Sequence, residues 1–164
     1  EVVGLLNAYF PRMVDIVFRN GGTLEKFVGD ALLAVWGAPV ESHDDVDRAV
    51  AAANEMQEAV ARFNVEQRAA GRPAIEIHVG IASGPAAAGY IGTDRYVQYA
   101  VIGDTTNVAA RICSAAGPGE VLVSEATRRG HSGRGVVFED KPAIAAKGKD
   151  GPVTVHRVRP ATSS

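Results

Sequence analysis

The stretch Thr23-Leu24-Glu25-Lys26-Phe27-Val28-Gly29-Asp30-Ala31-Leu32-Leu33-Ala34-Val35-Trp36 decides the fold class. Two short runs, Thr23 to Val28 and Ala31 to Trp36, flank Gly29-Asp30, a pair suited to the tight turn of a β-hairpin. Gly37-Ala38-Pro39 ends the hairpin. Upstream, Val2, Leu5, Leu6, Tyr9, Met13, Ile16 and Val17 recur at helical spacing until Gly21-Gly22. Pro11 is expected to kink that helix, because it lacks a backbone donor and crowds the preceding turn. Downstream, Ser42 is expected to cap a helix reaching about Ala70, with Asp44, Asp45 and Asp47 in the first turn, where the helix dipole favours acids. Its apolar stripe is Val46, Ala49, Val50, Ala53, Met56, Val60 and Phe63.

Gly71-Arg72-Pro73 terminates the helix, and a period of two follows. Ile75, Ile77, Val79 and Ile81 alternate with Glu76, His78, Gly80 and Ala82, which predicts a half-buried strand. Val97 to Ile102 reads as another strand, and Asp104 as the cap of a helix from Thr105 to about Ala116. Val121 to Val123 and Val136 to Glu139 read as strands around a short helix that Ser124 caps. Pro152 to Val158 is the expected last strand, and Pro160 to Ser164 a frayed end. Helices alternating with strands that include a hairpin predict an α+β fold. Its helices cover one face of a largely antiparallel sheet.

Composition narrows the function classes. A chain of 164 residues, 46% hydrophobic and 22% charged, suits one domain with a real core. The net charge of −2, with basic residues scattered, argues against a nucleic-acid partner. A single cysteine, Cys113, permits no internal disulfide and suits a cytoplasmic setting. The longest apolar stretch, Ala31 to Val40, is broken by Gly37 and Pro39 and is too short to span a bilayer, so no membrane contact is expected of this segment.

Four segments can carry chemistry. Lys26-Phe27-Val28-Gly29-Asp30 places a carboxylate in a tight turn, where it suits a phosphate-bound magnesium ion. Gly80-Ile81-Ala82-Ser83-Gly84-Pro85, followed by Gly89-Tyr90-Ile91-Gly92, lets a backbone be approached closely or marks bulges. In Val101-Ile102-Gly103-Asp104-Thr105-Thr106-Asn107-Val108-Ala109-Ala110-Arg111, Asn107 and Arg111 share one helix face, one turn apart. An amide and a guanidinium so placed can hold a ribose and a phosphate together. Lys147-Gly148-Lys149 can reach a polyphosphate. Taken singly, each of these also reads as solvated surface charge or as loop.

Together, and in this order and spacing, these phrases resemble the class III adenylyl/guanylyl cyclase catalytic domain, from about Val2 to Val158. The resemblance implies a ferredoxin-like, palm-type core over residues 1–160, with 161–164 a disordered tail. It further implies a head-to-tail homodimer whose sites are shared between subunits and turn ATP into cyclic AMP. Two magnesium or manganese ions per site are implied, with Asp30 matching one of their two aspartates. Lys26 matches the lysine that reads adenine, Asn107 the asparagine that orients the ribose, and Arg111 the arginine that stabilises the reacting phosphorus. Lys147 matches the lysine that holds the terminal phosphates.

The chain departs from the family pattern twice. Ala100 stands where an Asp, Thr or Ser accepts from the adenine amino group, and a methyl group cannot accept a hydrogen bond. Lys26 still argues for ATP, since guanylyl cyclases usually place Glu there. In addition, the family's first strand ends in the other metal aspartate, and nothing ahead of Val2 matches it. The 164 residues taken alone are therefore expected to form no cyclic AMP. Two further readings stand beside the adenylate cyclase: a non-catalytic cyclase-like domain that binds nucleotide or dimerises to regulate a partner, and a guanylate cyclase.

Overall fold

The apolar stripes of the first two helices become buried faces. In the computed structural model, which describes residues 2–145 and 151–162, α1 (Val2–Arg19) buries Met13, Ile16 and Val17. Pro11 lies inside α1. The second helix, α2 (Asp45–Ala69), contacts α1 and buries Val50, Ala53, Met56, Val60 and Phe63. Ion pairs flank this apolar contact: Arg12 to Glu66 at 2.9 Å and Arg19 to Glu55 at 2.5 Å. The Arg12 guanidinium also lies 4.9 Å from the centre of the Phe63 ring. The hairpin of β1 (Thr23–Val28) and β2 (Ala31–Val35) meets α1 through Phe10 and Phe27, whose ring centres are 4.7 Å apart. These elements form one unit, Glu1–Glu76.

The second unit, Ile77–Ser164, is built on a four-stranded sheet. Its strands are β3 (Val79–Ile81), β6 (Val121–Ser124), β7 (Val136–Asp140) and β8 (Val155–Pro160), in the order β3-β6-β8-β7. The β3–β6 pair runs parallel, and the β6–β8 and β7–β8 pairs run antiparallel. A hairpin of β4 (Ala87–Thr93) and β5 (Tyr96–Ile102) forms a separate two-stranded sheet. Helix α3 (Asp104–Ala115) packs on β3 and β6, and its Ile112 joins Ala116, Leu122 and Val155 in a buried cluster. The short α4 (Glu125–Gly130) follows β6 and is capped as expected, the Thr127 amide donating to Ser124 Oγ at 3.1 Å. An α+β fold with mostly antiparallel pairing is what the alternation of elements predicts.

Several boundaries differ from the sequence reading. Ser42 does not cap α2. The helix starts at Asp45, and the Asp45 carboxylate instead accepts from the Ser42 amide at 2.7 Å. The strand expected from Ile75 begins only at Val79, because the Asn64 side chain engages both backbone groups of Ile75 at 2.8 Å. Asp104 is the first residue of α3 rather than its cap, a place taken by Gly103. The last strand is displaced: Val153 makes only an isolated bridge to Ile144, while β8 runs through Pro160, so the chain end stays paired longer than expected. Strand β4 was not expected at all.

A charge cluster ties β7, β8 and α4 together. Buried His156 lies between Glu125 at 2.5 Å and Asp140 at 2.9 Å. Hydrogen bonds from Arg128, then from His156 and Arg129, hold the Glu125 carboxyl down at about 2 against an ordinary 4.5. A lowered carboxylate contributes stability that is complete above its unfolded pKa and lost as pH falls through its folded one. The Glu125 contribution is therefore expected to disappear between about pH 4.5 and pH 2. Denaturant titrations followed by circular dichroism across that range check this. Glu125→Gln is expected to flatten the dependence, and an unchanged slope would count against it.

Candidate active site

In the Glu1–Glu76 unit, β1 and its turn carry Lys26 and Asp30. Gly29, with φ of 60°, supplies the left-handed turn residue that brings the chain back at Asp30, which is exposed. The Tyr9 hydroxyl is pushed up to about 12, first by burial and then by the negative charge of Asp30. Tyr9 therefore remains a neutral phenol in the field of that carboxylate. Lys26 is about half exposed, and its ammonium lies 4.0 Å from a carboxylate oxygen of Glu25. The sequence reading passed over Glu25. In a regular strand, neighbouring residues point to opposite faces. Here the register slips between Leu24 and Lys26, an irregularity that no sequence pattern announces.

In the Ile77–Ser164 unit, α3 presents Asn107 and Arg111 one turn apart, Asn107 exposed and Arg111 half-buried. The first glycine-rich phrase acts here as a packing surface. A Cβ on Gly80 would lie 2.2 Å from the Cys113 nitrogen, so α3 rests directly on the β3 backbone. A Cβ on Gly84 would meet Thr105 Oγ1 at 2.7 Å. The start of α3 is tethered by Thr105, whose hydroxyl donates to the Pro85 carbonyl, and by Thr106, whose hydroxyl donates to the Gly103 carbonyl, both at 2.8 Å. Ala100 sits in β5 opposite Gly89 and is half-buried. Gly89 and Gly92, read from sequence as bulges or close approaches, are ladder residues of β4.

The expected site residues thus fall into two groups. Lys26 and Asp30 share one hairpin; Ala100, Asn107 and Arg111 belong to the other unit. Lys147 lies outside the described residues. Among the described residues, no cluster of three or more acidic, histidine or cysteine side chains could hold a metal ion. The exposed Asp30 carboxylate suits a hard divalent cation that takes most of its oxygens from phosphate and water. No helix among the described residues is long and apolar enough to cross a membrane.

Comparisons with known proteins bear on the family and the fold. Residues 1–158 match the family model described as the adenylate and guanylate cyclase catalytic domain. The chain is 38% identical to "Adenylate cyclase 1" of Rhizobium meliloti over 112 residues, 68% of this chain and 17% of that protein. It therefore spans less than a fifth of that relative. Among solved structures it resembles the adenylyl cyclase CyaB from P. aeruginosa, with a TM-score of 0.91 and 32% identity over 98% of this chain and 83% of that one. It resembles the guanylyl cyclase Cya2 similarly, with a TM-score of 0.89 and 34% identity over 96% of this chain and 79% of that one. The palm-type fold is thereby shared with enzymes of both specificities. With the Gly-Asp-Thr-Thr-Asn phrase at the head of α3 and the Lys26–Asp30 hairpin in place, the chain belongs to the adenylate and guanylate cyclase catalytic domain family.

Proposed function

We propose that residues 1–160 form an adenylate cyclase domain, which converts ATP to 3′,5′-cyclic AMP and pyrophosphate at sites shared across a head-to-tail homodimer. The observation that carries the choice of ATP is Lys26, on the same hairpin as Asp30 and about half exposed. Its ammonium can donate to a ring nitrogen of adenine, and an ammonium has no acceptor with which to read guanine's own donors. In this reading the Asn107 amide orients the ribose so that its 3′-oxygen faces the α-phosphorus. The always-cationic fork of Arg111 stabilises the charge that builds there. Lys147 holds the terminal phosphates.

Magnesium or manganese, two ions per site with Asp30 among their ligands, would supply polarisation of the phosphate oxygens. The dimer is supported by the β4–β5 hairpin, where Tyr90, Ile91, Val97 and Ile102 are all more than half exposed. A second copy of the chain would cover such a surface. The proposed setting is the cytoplasm.

Ala100 favours a second reading, the non-catalytic domain, because it removes a family acceptor. The two readings part on one measurement. The longer preparation, a purified chain that contains residues 1–164 and extends beyond them, is incubated with ATP or GTP and manganese. Cyclic AMP formation supports the enzyme, and nucleotide binding without product supports the regulatory domain.

Ala100 also predicts loose purine selectivity, because sites that hydrogen-bond their substrate discriminate strongly and apolar ones weakly. Ala100→Thr is expected to raise the ratio of kcat/KM for ATP over GTP by about tenfold, roughly the worth of one good hydrogen bond. If the unaltered protein already rejects GTP and the Thr variant changes nothing, this account of Ala100 is wrong.

A further inference from the structure

We propose that Glu25 is a positioning residue for Lys26, a buried counter-charge that fixes where the ammonium meets the purine. The inference rests on the reading of Lys26 as the purine-contacting residue. Three observations carry it. The Glu25 side chain is only 2% exposed, on a hairpin whose neighbouring residues 26–31 are exposed. Among the described residues, its Oε2 has no hydrogen-bond partner. The Lys26 ammonium lies 4.0 Å from that same oxygen.

A carboxylate withdrawn from water must be compensated by a charge or by hydrogen bonds. The cation beside this oxygen is the one assigned to the substrate. The register slip explains how two consecutive residues come together: Leu24 pairs with Ala34 and Lys26 with Leu33, which leaves Glu25 as the extra residue of a bulge. Bulges of this kind re-aim side chains, and here the slip lets the carboxylate lie beneath the lysine. Because Oε2 is inaccessible, Glu25 does not touch the nucleotide itself. It acts by restricting a long, flexible lysine stem before the nucleotide arrives, so that less freedom is lost on binding. With no side-chain acceptor at Ala100, selection of the purine depends all the more on where that ammonium stands.

The test compares four proteins in the longer preparation: unaltered, Lys26→Ala, Glu25→Gln and the double variant, each checked by thermal unfolding. Lys26→Ala is expected to lower the ATP-to-GTP ratio of kcat/KM about tenfold. Glu25→Gln, which keeps shape and removes charge, is expected to raise KM for ATP about fivefold and to lower the same ratio, with a smaller change in kcat. In the Lys26→Ala background it is expected to move neither quantity further. In the 164-residue chain without nucleotide, Glu25→Gln is expected to speed acetylation of Lys26, mapped by mass spectrometry, because the ammonium is released from its neighbour. Should Glu25→Gln fail to fold, Glu25→Asp, which withdraws the charge by one methylene, is expected to shift both readouts in the same direction by less. The inference is overturned if Lys26→Ala lowers the ratio and the Glu25 variants do not. It is also overturned if they shift it equally with and without Lys26. A ratio untouched by Lys26→Ala would instead remove the reading of Lys26 on which the inference rests.

Discussion

In the longer preparation, mixing an Asp30→Ala chain with an Arg111→Ala chain, each nearly inactive as a homodimer, is expected to restore cyclase activity. Asp30 stands on the β1–β2 hairpin and Arg111 on α3. The proposed sites draw Asp30 from one subunit and Arg111 from its partner. A heterodimer of the two variants then has one site that lost both groups and one that kept both. Random pairing at equal amounts gives about half heterodimers, hence about a quarter of the unaltered activity. Each homodimer is expected to fall by about a hundredfold or more, the usual effect of deleting a group that stabilises charge in the transition state. Asp30 is exposed in a turn whose demanding conformation is carried by Gly29, so its truncation leaves the hairpin intact. Arg111→Lys serves as a companion, keeping the charge and losing the planar fork, and is expected to be impaired as well. Rates of cyclic AMP formation in dimers shown to exchange subunits decide the matter. No recovery on mixing would mean that a single chain supplies both groups.

How much of this was legible in the sequence depended on whether a residue's role is local or set by its neighbours. The β1–β2 hairpin was legible because Gly29 punctuates two strand-forming runs, and the short cap at Ser124 because the capping bond reaches only to Thr127, within the first turn. The alternation through Ile75, Ile77 and Val79 was real, since these residues alternate in burial with Glu76 and His78. The ladder that was inferred from it did not extend to Ile75, whose backbone groups are taken by the distant side chain of Asn64. Strand β4 was invisible for the opposite reason. Most of it is exposed, so Ala87, Ala88, Gly89 and Gly92 show no buried face to alternate against. Asn107 and Arg111 were legible as a pair from helical spacing alone, whereas Glu25 depends on a slip in register against β2. The glycines of the Gly80 phrase were noticed as sites of close approach. What approaches them is a helix more than twenty residues later in the chain, and no pattern around Gly80 names it.

That approach makes Gly80→Ala the most disruptive single-methyl change expected in the Ile77–Ser164 unit. The added carbon would lie 2.2 Å from the Cys113 nitrogen, 2.6 Å from its Cα and 2.8 Å from the Ala109 carbonyl oxygen. All three are backbone atoms of α3, so no side chain can swing aside, and the helix itself must lift from β3. Lifting it opens the cluster around Ile112, Ala116, Leu122 and Val155, which is almost wholly buried. Overpacking of this kind costs about 3 kcal/mol where the obstacle is rigid, a fall in Tm on the order of 10 °C for a chain of this size. The same displacement carries Asn107 and Arg111 with the helix, and misplacing catalytic groups by about 1 Å can cost on the order of a hundredfold in rate. Stability and activity are therefore expected to fall together, although Gly80 itself is not assigned any contact with substrate. Gly89→Ala is the control, because among the described residues a Cβ there would meet nothing within 4 Å. Its effect on stability is expected to stay within about 0.5 kcal/mol. Thermal unfolding followed by circular dichroism, together with cyclisation rates for both variants in the longer preparation, tests the pair. A Gly80→Ala chain as stable and active as the unaltered protein would show that α3 is not seated on the β3 backbone and that the glycine serves another purpose.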